Sequence, residues 1–461
     1  MDSTVTSDAA IDQQNNGDNK ILSGSIVGNF FSLFVPSIIG LLAFSSASLV
    51  DGIFIGNFVG AEALAAVNLL IPFITIIFGI GYMLAVGGSV RAGKYIGQGH
   101  IDRASAVFSK ILIFCISFAV IMVTIGLTFE EQLYQALGAT DELIPLMSEY
   151  FLIRFPFMIP EMLIIVMYYF VRIDGFANFS ATGILLASIL NVILDYVFVV
   201  EFGWGLAGAA WATGLAQAMP FCFFLAYFFF KDKKLQFSFK QTRWFEILHA
   251  SFNGLSEFIN EVSASIVAFI LNWLLISSVG TNGVAAITII NYLLFVGIMV
   301  VYSISEACQV FVSQNFGAKN VERIKQYFIV TGIACTLTSL LFISLLLGFT
   351  ELMVSLFLDN DSDDAAQLAI GYVDILWPIF LVNGFTICIS AYLTALHAAK
   401  ESATIALSRG LILPCLLMFI LYRFVPSVSF LWALPMAELL TFGLAILLFI
   451  RNQPQKVIGK I

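Results

Sequence analysis

The sequence predicts an all-α polytopic membrane protein, with twelve transmembrane helices in two pseudo-symmetric lobes of six. Three observations lead there. The 461-residue chain is 60% hydrophobic and only 11% charged, with a mean hydropathy of +0.97, whereas a soluble domain is nearer a quarter charged. Apolar runs long enough to cross a bilayer, each needing about 20 residues, recur from end to end. The second half of the chain also repeats the first. An aromatic content of 14%, with 46 Phe, suits lipid-facing helices and an apolar cavity alike. The net charge of −9 says little about nucleic acid, because no basic soluble domain exists to bind it.

The segment 1–21 is polar and rich in Asp, Asn, Gln and Ser, the composition of a disordered cytoplasmic tail. It lacks the basic start, apolar core and cleavage site of a signal peptide. Twelve helices then fit at roughly 26–58, 62–92, 104–128, 143–171, 179–200, 206–230, 245–279, 282–314, 324–349, 367–396, 403–424 and 429–450. The expected organisation is an N-lobe over 22–230, a cytoplasmic linker over 231–244, a C-lobe over 245–451 and a cytoplasmic tail over 452–461.

Basic residues set the orientation. If the first helix starts from the cytoplasm, the inner side collects Arg91, Lys94, Arg103, Lys110, Arg172, Lys231, Lys233, Lys234, Lys240 and Arg243. Lys319, Arg323, Lys325, Lys400, Arg409, Arg451, Lys456 and Lys460 fall there too, and only Arg154 and Arg423 escape. The opposite loops carry Glu130, Glu131, Asp141, Glu142, Asp359, Asp361, Asp363 and Asp364. This is the positive-inside pattern, with both termini cytoplasmic.

Val59-Gly60 followed by Ala65-Ala66 recurs as Val279-Gly280 followed by Ala285-Ala286, so that Gly60 pairs with Gly280. In the same register Gly97 to Arg103 meets Gly317 to Arg323, and Phe108 meets Phe328. Further on the register lengthens slightly, and Tyr150, Pro156 and Ser180-Ala181-Thr182 meet Tyr372, Pro378 and Ser402-Ala403-Thr404. An even number of helices per half gives both halves the same orientation, and parallel repeats of this kind imply alternating access by two lobes.

Several stretches carry a family likeness: VDGIFIGNFVGAEALAAVNLLIPF near the start, GQGHIDRA and its copy after the second and eighth helices, and ILNVILD in the fifth. From about Leu22 to Arg451 the chain resembles the MATE (multidrug and toxic compound extrusion) family, and within it the DinF/MepA-like bacterial branch. The resemblance implies the MATE/MOP-type fold. It also implies a secondary active antiporter in a bacterial cytoplasmic (inner) membrane, exporting amphipathic, often cationic drugs in exchange for H⁺ or Na⁺. Such a protein acts as a monomer in the lipid bilayer and needs no cofactor beyond its coupling ion.

Because the scaffold is duplicated, its asymmetries are informative. Asp51 aligns with Leu271, Asn191 with Leu413, Asp195 with Leu417, and Thr213 with Leu434 or a neighbour. Asp51 lies about 12 Å from the outer end of its helix, Asp195 about 9 Å and Thr213 about 10 Å, at 1.5 Å per residue. Asn191 and Asp195, at i and i+4, share a helix face. Four oxygen-bearing side chains from three helices therefore meet near one level in the outer half of the membrane. Two carboxylates in low dielectric cannot both stay charged and unpaired, so a proton or a cation joins them. Their oxygens suit a hard cation. In the MATE resemblance Asp51, Asn191, Asp195 and Thr213 match the family's first-lobe cation site, holding Na⁺ if the exchange is sodium-coupled, and Pro36 matches the proline where the first helix bends. A plain structural pair of Asn191 and Asp195, with Asp51 lining water, also fits the residues.

Arg154, about 16 Å deep in the fourth helix, must face a cleft or an acid, and either a structural ion pair or a gate fits it. Glu257 and Glu261, also i and i+4, fall in the inner half of the seventh helix, and Glu306 near the inner end of the eighth. They suit interfacial structural pairs, an inner gate or a second cation site. Arg172 and Asp174 read as fixing a tight inner loop. The six cysteines all lie in apolar runs without framework or metal spacing, as small packing residues do. No Gly-x-Ser-x-Gly, His-Glu-x-x-His or Gly-x-Gly-Asp signature points to an enzyme. A flippase for a lipid-linked precursor or another endogenous metabolite is the alternative on the same fold, although a strongly cationic cleft for pyrophosphate is missing. A passive channel fits the one-sided acid cluster less well than an exchanger does.

Overall fold

The computed structural model describes residues 20–238, 243–355 and 364–459. Expectations for residues 1–19 and for Lys240, Asp359, Asp361, Asp363 and Lys460 lie outside these. Among the described residues every regular element is helical. Eleven helices are each long and apolar enough to cross a membrane: α1 Ile26–Val59, α2 Glu62–Gly97, α3 Ile101–Thr128, α4 Ile144–Ile173, α5 Ala177–Glu201, α6 Gly205–Phe229, α7 Leu255–Ser278, α8 Thr281–Gly317, α9 Val321–Gly348, α11 Ala399–Phe424 and α12 Phe430–Arg451. The twelfth span, α10, is the pair Asp364–Leu376 and Ile379–Ala395, bent by 57°.

That bend corrects the single helix expected over 367–396. Pro378 has no N–H to continue the ladder, so the chain turns there. Its copy Pro156 acts more gently, opening only a 3₁₀ turn at Phe155–Phe157 within α4. A second correction falls at the seventh helix, expected to be continuous from 245. A separate helix spans Phe245–Asn253, Gly254 ends it, and α7 begins at Leu255.

The described residues fall into two compact units, Phe31–Gly254 and Leu255–Ile461, the latter joined by the N-terminal segment through Phe30. Helix 245–253 thus packs with the first unit, where the expected lobe boundary had it in the second. The reason is contact with α2. A Cβ on Gly254 would lie 2.0 Å from the Met83 carbonyl oxygen, and one on Gly87 would lie 1.9 Å from that of Ala250. Only glycine allows two helix backbones this close. Arg91 Nε donates to Glu246 on that helix, and the Tyr95 hydroxyl adds a bond of 3.3 Å. Burial alone would raise the Glu246 carboxyl, but the Arg91 hydrogen bond and charge hold it below its ordinary value.

The linker start is also tied to the first unit. Asp174 accepts from the Tyr227 hydroxyl at 2.7 Å and from the Lys234 backbone at 3.0 Å, while the Gln236 and Ser238 amides donate to Ser105 and Ser109. Burial pushes Asp174 up to about 6, with these hydrogen bonds pulling the other way. Asp174 therefore fixes this loop, as its position in the sequence suggests.

In the second unit, residues 20 and 21 belong to a helical turn, Lys20–Ser23, rather than a disordered tail. Arg323 Nη2 donates to the Ile21 and Gly24 carbonyls at 3.0 and 2.8 Å, and the Tyr327 hydroxyl donates to Ile21 at 3.1 Å. Those bonds satisfy carbonyls that a short helix leaves open at its end.

The repeat is visible in the turns. Gly60 and Gly280, copies of each other, end the first helix of each unit at φ +130° and +87°, where a side chain would be strained.

Candidate functional site

Within the first unit the structure brings Asp51, Asp195 and Thr213 together. The Thr213 hydroxyl on α6 donates to Asp51 Oδ1 on α1 at 3.2 Å. Asp195 on α5 faces Asp51 and is fully buried. Neither of its carboxylate oxygens meets a hydrogen-bond donor among the described residues. Ionised carboxylates only accept, so this contact becomes a hydrogen bond only when a proton lies between the two acids. Asn191, one turn before Asp195, is also buried, and its Nδ2 has no partner among the described residues.

The backbone around these acids is unusual. α1 widens into a π-helical turn at Ile55–Val59, one turn beyond Asp51, and α5 does the same at Tyr196–Glu201, starting right after Asp195. The two turns pack against each other. Wide turns of this kind recur at functional sites, because the extra residue re-aims its neighbours. The α-helix runs unbroken through Pro36.

Arg154 finds an acid. Its Nη2 donates to Glu161 Oε2 at 2.6 Å, two turns along α4 and across the 3₁₀ break. Both side chains are about nine-tenths buried, at 10% and 7% exposed. Arg154 also lies within electrostatic reach of Asp51, and the buried Tyr150 hydroxyl reaches toward Thr213. The site is therefore larger than the four residues expected, extended on one side by Tyr150, Arg154 and Glu161. Glu161 was findable as the only acid at helical spacing (i+7) from Arg154, whereas Tyr150 carries no distinguishing signal.

The second unit corrects the expectation that only Arg154 and Arg423 leave the inner side. Arg409 lies well inside α11, about 15 Å from its start, in a π-helical turn at Ser408–Ile412. Its Nε donates to Glu438 of α12 at 2.8 Å, and Asn383 of α10 donates to the same oxygen at 2.9 Å. Beside this pair, Glu257, Asn260, Tyr302, Ser305, Ser390 and Arg409 line a small cavity. Glu257 accepts from Gln309 at 3.3 Å and also lies within electrostatic reach of Glu261, which is exposed, and of Glu306. Glu306 is buried nearby on α8, and Arg423 is exposed at the end of α11. At the level that matches the first-unit acids the second unit is apolar: Leu271 is core, with Leu417 and Leu434 packed against the same cluster.

Comparison with known proteins agrees with this architecture. A family model described as MatE matches residues 36–197 and 258–420. The multidrug export protein MepA of Staphylococcus aureus (strain MSSA476) is 25% identical over 416 residues, covering 88% of this chain and 89% of its own. A crystal structure of a MATE protein in complex with MaD3S superposes with a TM-score of 0.86 at 24% identity, over 96% of this chain and 98% of that one. A MOP superfamily transporter from Pyrococcus furiosus, described as having a binding pocket of reverse polarity, gives 0.84 at 24% identity over 95% and 97%.

Proposed function

The chain belongs to the MatE family, and we propose that it exports amphipathic, often cationic compounds across a bacterial cytoplasmic membrane in exchange for H⁺ or Na⁺. The observation that carries this reading is the Asp51–Asp195 pair, two acids from different helices facing each other with no donor to Asp195 among the described residues. An unpaired acid at membrane depth is costly and has a task by default. A single proton or a small hard cation neutralises the pair. The donors fit Na⁺ in kind: two carboxylates, the Thr213 hydroxyl and the Asn191 amide, all oxygen-bearing. Among the described residues no three His, Cys, Asp or Glu side chains come together for a metal that needs more.

Exchange follows if the ion and the drug bias the same two states in opposite senses. Gain or loss of that proton or cation changes what holds Asp51 against α5, and α1 repacks, bending at Pro36. An anionic cargo is served poorly, because Arg154 and Arg409 are each already paired with a glutamate. The name of the Staphylococcus relative, a multidrug export protein, points the same way. Both termini are cytoplasmic in this reading, by the distribution of Lys and Arg.

The test is efflux of a fluorescent cationic dye from vesicles, driven separately by a sodium gradient and by a pH gradient. Dye should move uphill under at least one gradient. Movement only down its own gradient would make the protein a passive path and reject exchange.

A further inference from the structure

We propose that Cys335 on α9 and Cys388 on α10 form a dithiol site for trivalent arsenicals, bridging the two helices. Their sulfurs lie 3.4 Å apart, and both residues are buried. Gly384, one turn before Cys388, lies against Cys335: a Cβ there would be in ordinary van der Waals contact, 3.4 Å from the Cys335 Cβ and 3.5 Å from its sulfur. The wide separation of the two cysteines in the sequence gives no hint of the pair.

The sulfur separation selects the occupant. A disulfide requires about 2.05 Å between sulfurs, so oxidation would have to pull the helices together. A linear two-coordinate cation with metal–sulfur bonds of roughly 2.3 Å needs roughly 4.6 Å between them. Two such bonds set near a right angle span roughly 3.3 Å, which is what the pair already offers. Near-right-angle bonds to sulfur are the preference of trivalent arsenic, a soft centre suited to thiols. Cys308 on α8 is buried nearby, but among the described residues no three His, Cys, Asp or Glu side chains gather into a metal site. The ligand is therefore one that uses two sulfurs and keeps its third substituent.

The chemistry is a condensation with no change of oxidation state. An aryl arsenoxide, R–As=O, meets two thiols, two S–As bonds form, two S–H bonds and the As=O bond break, and the oxygen leaves with both protons as water. A small uncharged arsenoxide can reach a site inside the bilayer through lipid, where a charged thiol reagent cannot. The two-point attachment distinguishes this pair from Cys115, Cys222 and Cys415, whose adducts are single bonds that an excess of monothiol reverses.

The experiment treats the purified full-length chain with phenylarsine oxide, adds excess 2-mercaptoethanol, and reads intact mass. One bridged arsenical per chain should survive, and 2,3-dimercaptopropanol should remove it. Cys335→Ser and Cys388→Ser should each retain none, whereas Cys222→Ser should retain one. Peptide mapping of the bridged wild-type chain should join the peptides holding residues 335 and 388, which tests the site even if a variant fails to fold. Loss of all arsenical to monothiol, survival in either single variant, or a bridge mapped elsewhere would overturn the proposal. None of these outcomes depends on transport, so the efflux reading stands or falls separately.

Discussion

The two units share one scaffold and put opposite chemistry at the same level. Where the first has Asp51 in contact with both Thr213 and Asp195, the second has Leu271, Leu417 and Leu434 in or against one apolar cluster. The second unit instead keeps a buried ion pair, Arg409–Glu438, and the first-unit copy of Arg409 is Ala187, in the register that pairs Ser180 with Ser402. A duplicated fold therefore tolerates charge in either place: Glu257, which faces Glu261 and Glu306, still accepts from Gln309, whereas Asp195 faces an acid with no hydrogen-bond donor among the described residues. Arg154–Glu161 and Arg409–Glu438 each pair opposite charges, whereas Asp51–Asp195 sets two acids against each other.

The strongest way to break this contrast is to open a closed pair. Arg154→Ala strands Glu161 in the interior and should cost about 3–5 kcal/mol, seen as a large fall in expression and thermal midpoint. Arg423→Ala, at an exposed and snorkelling position, should stay within about 0.5 kcal/mol. Equal, negligible effects would refute the burial assigned to Arg154.

Next comes writing the first unit's chemistry into the second. Leu271→Asp places an acid in an apolar cluster with no Thr or Asp partner, and should cost about 2.5–3.5 kcal/mol in insertion or stability. The reciprocal Asp51→Leu should fold at least as well as the wild type, because it relieves the buried pair. Thermal unfolding in detergent checks both.

Pro36→Ala restores a backbone hydrogen bond in α1 and favours a straight helix. It should leave stability within about 1 kcal/mol while slowing dye efflux severalfold. Full efflux rates in reconstituted vesicles would remove Pro36 as a moving part.

The smallest effect concerns a turn that both units share. Gly99 and its copy Lys319 both adopt left-handed backbone, at φ +80° and +55°. A side chain is strained there, so Lys319→Gly should stabilise by roughly 0.5–1 kcal/mol, a rise of a degree or more in thermal midpoint. Gly99→Lys should do the reverse.

Much of this is legible in the sequence because a bilayer punishes charge. Long apolar runs mark the spans, and isolated acids such as Asp51 and Asp195 stand out against them. The register of the repeat identifies Leu271, Leu417 and Leu434 as the matching positions, and the structure packs all three in or against one cluster. Local backbone is the harder part. Pro378 bends its helix while its copy Pro156 only tightens one, so the proline alone does not decide the outcome. Gly254 ends a helix because Met83 needs its space, a contact between positions far apart in the chain. The π-helical turns beside Asp51, Asp195 and Arg409 have no sequence signature. The sequence places Arg409 at the membrane surface because its helix is expected to start at 403; it starts at Ala399 and buries Arg409 against a helix that comes later in the chain.

The central claim is that Asp51 and Asp195 act as one coupling unit and that the second unit's carboxylates do not replace them. The direct measurement is gradient-driven dye efflux in vesicles for Asp51→Asn, Asp195→Asn, their double variant and Glu257→Gln, each at matched protein density. Asp51→Asn and Asp195→Asn should each lose uphill efflux while still inserting, the double variant should be little worse than either, and Glu257→Gln should retain most activity. Wild-type efflux in Asp51→Asn together with a dead Glu257→Gln would move the coupling site to the second unit and contradict the account.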